Sequence, residues 1–130
     1  MDEMEEILKE FDDIVNEIKE SGYPVLVEGI NDMRALERLG VKNKIILLKS
    51  RGTLQEIIER IHSHDVILLT DWDRSGRILF GKCMRILRNE QINAITELRK
   101  RIMKISLPYI YQIEELVAFR DMVAGRIHSS

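Results

Sequence analysis

Apolar positions along this chain follow two different rhythms. Met4, Ile7, Leu8, Phe11, Ile14, Val15 and Ile18 recur every three or four residues, which puts one apolar stripe on a helix over residues 2–20. Ser21-Gly22-Tyr23-Pro24 ends that helix with turn and helix-breaking residues. Three short aliphatic runs follow, at residues 24–28, 44–48 and 66–70, and runs of this kind predict strands buried on both faces. Helical spacing returns between them. Met33, Leu36 and Leu39 form one apolar face, with Asn31 as the expected N-cap, Asp32 in the first turn and Gly40 as the stop. Leu54, Ile57, Ile58 and Ile61 form another, opened by a Thr53–Glu56 capping box and reaching about Ser63. A helix after Gly76 runs to about Asn89, and a further helical stretch covers residues 91–104. Residues 107–111 read as a fourth, edge strand or as a loop. Ile113, Leu116, Val117 and Phe119 mark a closing helix, with residues 125–130 as a frayed tail. Strands alternating with helices of 8–14 residues predict an α/β fold with a parallel sheet, in one domain.

Composition leaves that picture intact. At 130 residues with 45% apolar and 32% charged side chains, the chain is long enough for one real core and far from the composition of disorder. Its acidic start lacks the apolar stretch of a signal peptide, and no run approaches the roughly 18 residues of a membrane span. One cysteine, Cys83, cannot close an internal disulfide, so a reduced, cytoplasmic setting is expected, with Cys83 as a small core residue. Charge does change the picture. Residues 1–20 hold nine acids against two lysines, whereas residues 74–104 hold nine Lys or Arg against two glutamates. The basic half points to an anionic partner, the plainer alternative being a solvated charged face. The stripe of the first helix is expected to pack on the domain, or else to serve as a homodimer face.

The candidate chemistry lies where the third aliphatic run ends, at Thr70-Asp71-Trp72-Asp73-Arg74-Ser75-Gly76-Arg77. Two carboxylates one residue apart repel each other unless a cation or a proton sits between them. Glu28 ends the first strand, and ligands of open parallel sheets sit beyond the carboxyl ends of the strands. If the first and third strands are neighbours, Glu28, Asp71 and Asp73 meet at one edge, with hard oxygen donors suited to Mg²⁺ or Mn²⁺. Glu28, approaching from the other strand, suits proton transfer. Gly29 and Gly76 would let backbone and substrate come close. Singly, each acid has a plainer reading: Asp73 or Ser75 as an N-cap, Asp32 as a helix-start residue, Glu28 as a solvated turn acid. In the helix after Asp73, Arg74, Arg77, Arg85 and Arg88 gather within about 80° of arc opposite the apolar face, which is either a plain solvated basic face or a row able to follow a phosphate backbone.

Val27-Glu28-Gly29 with Asp32, the turn Ser50-Arg51-Gly52-Thr53, and Thr70-Asp71-Trp72-Asp73-Arg74-Ser75-Gly76-Arg77 together resemble the Toprim domain. That catalytic module is shared by bacterial-type primases, type IA and type II topoisomerases, overcoming-lysogenization-type nucleases and ribosomal-RNA maturation nucleases. The resemblance covers residues 24–90. It implies a Rossmann-like, four-stranded, mainly parallel sheet sandwiched by helices, with residues 1–22 as an added amphipathic helix and 91–130 as a helical C-terminal part. It also implies Glu28 as general acid or base, Asp71 and Asp73 as the Mg²⁺ site, and Asp32 in support. Arg51, Arg74 and Arg77 are then expected to hold phosphates. Ser75 and Arg77 stand where type IA topoisomerases carry further acids, and 130 residues provide no strand-passage gate. Primases need flanking subdomains that are absent here. A Mg²⁺-dependent nuclease or phosphoryl transferase is the first expectation, and a non-catalytic nucleic-acid-binding or partner-docking module the second. Asp71-x-Asp73 also resembles the nucleophile pair of haloacid-dehalogenase-like phosphatases, whose motif belongs on the first strand rather than the third.

Overall fold

A computed structural model describes residues 1–128. The elements in order are α1 (Glu3–Ser21), β1 (Val25–Val27), α2 (Ile30–Arg38), β2 (Ile45–Leu47), α3 (Leu54–Glu59), β3 (Asp65–Leu68), α4 (Arg74–Asn89), β4 (Asn93–Ile95), α5 (Glu97–Ser106), a 3₁₀ turn at Ile113–Glu115, and α6 (Leu116–His128). The strands form one sheet in the order β2-β1-β3-β4, and every neighbouring pair is parallel.

The pleat sends alternate residues of each strand to opposite faces, and a hydrophobic layer covers both. Val25, Val27, Ile67 and Leu69 join Phe11, Ile14, Ile18, Leu36, Ile102 and Phe119 in the larger layer, built with α1, α2, α5 and α6. Leu26, Val66 and Leu68 join Ile58, Cys83 and Leu87 in the smaller one, built with α3 and α4. From β1 the chain leaves through α2 to β2 on one side. From β3 it leaves through α4, on the opposite face, to β4 on the other side. The connections therefore diverge between β1 and β3, at the switch point where open α/β sheets bind ligands.

Several sequence expectations need correction. The fourth strand is residues 93–95, inside the stretch expected to be helical from 91, while residues 107–111 form a loop. Asn93-Ala94-Ile95 is too short and too weakly β-forming to interrupt the helical pattern around it. Gln91, at φ 58°, makes the turn that separates it from α4. Gly29, not Asn31, is the N-cap of α2, α3 stops at Glu59, and α6 continues through residues 125–128 instead of fraying. The end of the expected tail, residues 129–130, lies outside the described residues. The stripe of α1 is spent inside the chain. Phe11, Ile14 and Ile18 are each at most 2% exposed beneath α5 and α6, so that stripe is not a homodimer face.

The same docking uses part of the charge asymmetry. Arg101 of α5 pairs with Glu10 at 2.8 Å and with Glu17, and Arg120 of α6 pairs with Asp12 at 3.0 Å. Arg101 is thereby withdrawn from the basic half. Arg74, Arg77, Lys82, Arg85 and Arg88 remain exposed along α4.

Candidate metal centre

Because β1 and β3 pair directly (Val25 with Ile67, Leu26 with Leu68), the residues just beyond their carboxyl ends face each other. Glu28, Asp71 and Asp73 come together there, and one oxygen from each lies within 4.8 Å of the others. Glu28 and Asp71 are buried, and Asp73 is half-buried.

Each carboxylate is held by a donor from elsewhere in the chain. Glu28 Oε2 accepts the Asp71 backbone N–H at 3.0 Å, and Lys49 Nζ, at the end of β2, stands 3.0 Å from Glu28 Oε1. Asp71 Oδ1 accepts the Ile113 N–H at 2.8 Å. Asp73 Oδ1 accepts the Gly76 N–H at 2.8 Å as the N-cap of α4, and its Oδ2 accepts Gln112 Nε2 at 3.1 Å. The plainer reading of Asp73 as a helix cap thus holds together with its place in the cluster.

The charges are unevenly matched. Burial pushes the Asp71 carboxyl up to about 8, with Asp32 and Glu28 adding repulsion against the opposing Ile113 hydrogen bond. Burial also raises Asp32, whereas Gln112 and Gly76 hold Asp73 below the ordinary carboxylate range. Glu28 in turn raises the Lys49 ammonium. A divalent cation fits this arrangement. Three carboxylate oxygens lie within 4.8 Å of one another, and the buried Asp71 carboxyl favours a proton only while no cation replaces it. Carboxylate oxygens that accept one hydrogen bond retain a lone pair for a hard cation such as Mg²⁺ or Mn²⁺.

Residues around the acids build the loop that aims them. A Cβ at Gly76 would lie 2.1 Å from the Asp71 carbonyl oxygen, so what approaches this glycine is the chain's own backbone, not a substrate. No atom lies within 4 Å of a Cβ built at Gly29, which leaves open space beside Glu28. Asp32 is outside the cluster. Its Oδ2 accepts the Gly29 N–H at 3.0 Å, the helix-start role. Trp72, wholly buried between the two aspartates, donates its Nε1–H to the Ile110 carbonyl at 2.8 Å and its backbone N–H to Tyr111 O at 2.9 Å. Arg99 lies buried under the same loop. Its Nε donates to Thr70 O at 2.8 Å and its Nη2 to Asp71 O at 3.0 Å, and its guanidinium sits 4.3 Å from the Phe80 ring centre.

Among the arginines expected to hold phosphates, Arg77 donates Nε–H to the Trp72 carbonyl at 3.2 Å, close to Asp73. Arg74 is exposed at the start of α4. Arg51 is exposed in the loop before α3, where Gly52 takes a φ of +96°, and it makes no hydrogen bond or ion pair among the described residues. Lys49, Arg99, Gln112 and the Ile113 N–H were missed from the sequence. Lys49 had a signal, since it follows the second aliphatic run as Glu28 follows the first. Arg99 had none, standing in a charge run beside Lys100 and Arg101. Cys83 is a core residue, its thiol pushed up to about 12 by burial.

Fold and site together define an α/β protein with a parallel four-stranded sheet and three carboxylates gathered at its switch point. The chain belongs to the UPF0292 family. It is 37% identical to the UPF0292 protein of Thermococcus sibiricus over 109 residues, covering 83% of this chain and 86% of that one. It is 31% identical to the relative from Methanocaldococcus jannaschii over 117 residues, 88% and 90% of the two chains. A solved structure of a protein from Aquifex aeolicus superposes with a TM-score of 0.69 at 26% identity, over 79% of this chain and 94% of that one. No family model matches the chain. Among the described residues no helix is long and apolar enough to cross a membrane.

Proposed function

We propose that this protein is a Toprim-type module that carries out Mg²⁺-dependent phosphodiester chemistry on DNA or RNA, as a nuclease or phosphoryl transferase. One observation carries the reading: Glu28, Asp71 and Asp73 converge from two adjacent parallel strands, with one oxygen of each within 4.8 Å of the others. Asp71, Asp73 and Glu28 would hold the ion, which when bound polarises a phosphodiester and stabilises charge on the leaving oxygen. Glu28 is the group for proton transfer, because it enters the cluster from β1 while both aspartates follow β3, with Lys49 Nζ 3.0 Å away. Arg77 and Arg74 stand beside Asp73 at the start of α4, where a phosphate would find both a positive side chain and a helix N-terminus. The buried, unpaired Cys83 agrees with a cytoplasmic setting.

A different observation favours the non-catalytic module. Five of the six carboxylate oxygens already accept a donor from the protein, which is what acids kept for architecture would do. Incubation of single-stranded DNA, duplex DNA and RNA with wild type and Asp71→Ala, in Mg²⁺, Mn²⁺ or chelator, separates the two. Metal-dependent cleavage that drops at least about a hundredfold in Asp71→Ala supports the enzyme. Equal inactivity of both proteins on all three substrates supports the binding module.

A further inference from the structure

Beside the carboxylates, between the end of β2 and the outer face of α4, runs a groove of about 450 Å³ lined by Lys49, Arg74, Ser75, Ile78, Leu79 and Lys82. We propose that this groove seats an unpaired nucleotide of a single-stranded nucleic acid, next to the phosphate at the metal centre. The inference rests on the proposed function and narrows its substrate class.

Three features carry it. Arg74, Ile78 and Lys82 are spaced four residues apart and so form one line along α4, a cation at each end and an apolar side chain between them. Ile78 is 52% exposed although it lies on the first turns of a helix with a well-filled inner face, and Leu79 extends the apolar floor into the groove. No acidic residue lines the groove, while Lys49 closes its inner end 3.0 Å from Glu28, joining it directly to the carboxylate cluster. An apolar floor with cations on its rim matches a nucleotide whose base face is bare and whose flanking phosphates are charged. A duplex keeps its base faces stacked and presents phosphates and base edges, so it would engage the rim and leave Ile78 in water. An acidic peptide would likewise use the cations alone.

The test is fluorescence anisotropy with labelled oligonucleotides of one sequence, as single-stranded DNA, single-stranded RNA and duplex DNA, in chelator so that cleavage cannot interfere. Wild type, Ile78→Ser and Lys82→Gln are compared, with circular dichroism confirming their folds; both positions are exposed. Single strands are expected to bind about tenfold or more tighter than duplex. Ile78→Ser should weaken single-strand binding about fivefold to tenfold, for the loss of the apolar contact, and leave duplex binding unchanged. Lys82→Gln should weaken binding to both and lower the single-strand salt slope by about 0.7. Duplex bound as tightly as single strand, indifference of single-strand binding to Ile78→Ser, or equal displacement by poly-glutamate would each overturn the proposal. So would the absence of binding to any oligonucleotide. Cleavage that requires Asp71 but ignores Ile78 defeats this inference alone. Ile78-dependent binding without cleavage in Mg²⁺ defeats the catalytic reading alone.

Discussion

A methyl group at position 76 would collide with the Asp71 carbonyl oxygen, so the first turn of α4 can press against the loop that carries the aspartates only through a glycine. Gly76→Ala should therefore cost about 1–3 kcal/mol in denaturant unfolding, the range for overpacking a tight site, and weaken Mn²⁺ binding measured by calorimetry. Arg99 acts on the same loop from below, and Arg99→Gln leaves the buried Thr70 and Asp71 carbonyls without their charged donor. A loss of at least about 2 kcal/mol is expected, with a weaker metal isotherm that Arg99→Lys restores in part. Asp71 sets a pH dependence of definite sign. Its carboxyl keeps a proton to about 8 in the native state, against 3.8 as the ordinary value, so across that window the native chain binds more protons than the unfolded one. Its contribution to stability then falls as pH rises. In chelator, the stability advantage of Asp71→Asn over wild type should grow between about pH 5 and pH 8; an advantage independent of pH would contradict the assignment. Metal affinity should rise over the same interval, because the ion displaces that proton.

Among the elements, α1 illustrates how a correct local reading leaves the partner open. Its stripe of apolar residues announced a helix with one buried face, and the helix starts with Asp2 as N-cap and ends at Gly22 in the left-handed region, as such sequences do. What covers the stripe is α5 and α6, more than 80 residues later along the chain in the Arg101–Glu10 contact. Ile14→Ala should cost about 2–5 kcal/mol, with no change in oligomeric state by light scattering, since the stripe is internal. The Arg101 guanidinium holds the Glu10 carboxyl below its ordinary 4.5. That depressed value stabilises the docking of α1 above the ordinary value and is lost as pH falls through the native one. Arg101→Gln should accordingly shift the acid-unfolding midpoint toward neutral pH. The strand β4 is the opposite case: Asn93 and Ala94 have little β preference, yet with Ile95 they become a strand because β3 presents an unpaired edge to them.

Over the full chain, the carboxylate cluster ties together three segments that are far apart in sequence. Glu28 comes from β1, the aspartates follow β3, and the segment 110–113 closes over them, donating from Gln112 and Ile113 and accepting from Trp72. Binding of Mg²⁺ or Mn²⁺ should therefore stabilise the entire fold, by about 2.7 kcal/mol at a hundredfold excess over Kd. The rise in Tm should vanish in a double Asp71→Asn, Asp73→Asn variant. A Tm indifferent to both ions in wild type would remove the metal from the site.

The identity of most elements, the parallel α/β class, and the presence of acids at two strand ends were legible in the residues, because periodicity and apolar runs report burial within one turn or one strand. Tertiary structure decided which strands are neighbours, and so whether Glu28 reaches Asp71 across 43 positions of chain. It also decided that Arg99 points inward beneath Asp71 while Arg74 stays in water, and that a loop near residue 112 supplies the donors that hold both aspartates. Hydrogen bonds and charge matching over such separations depend on where the sheet puts distant segments, and local patterns of side chains hold no record of that placement.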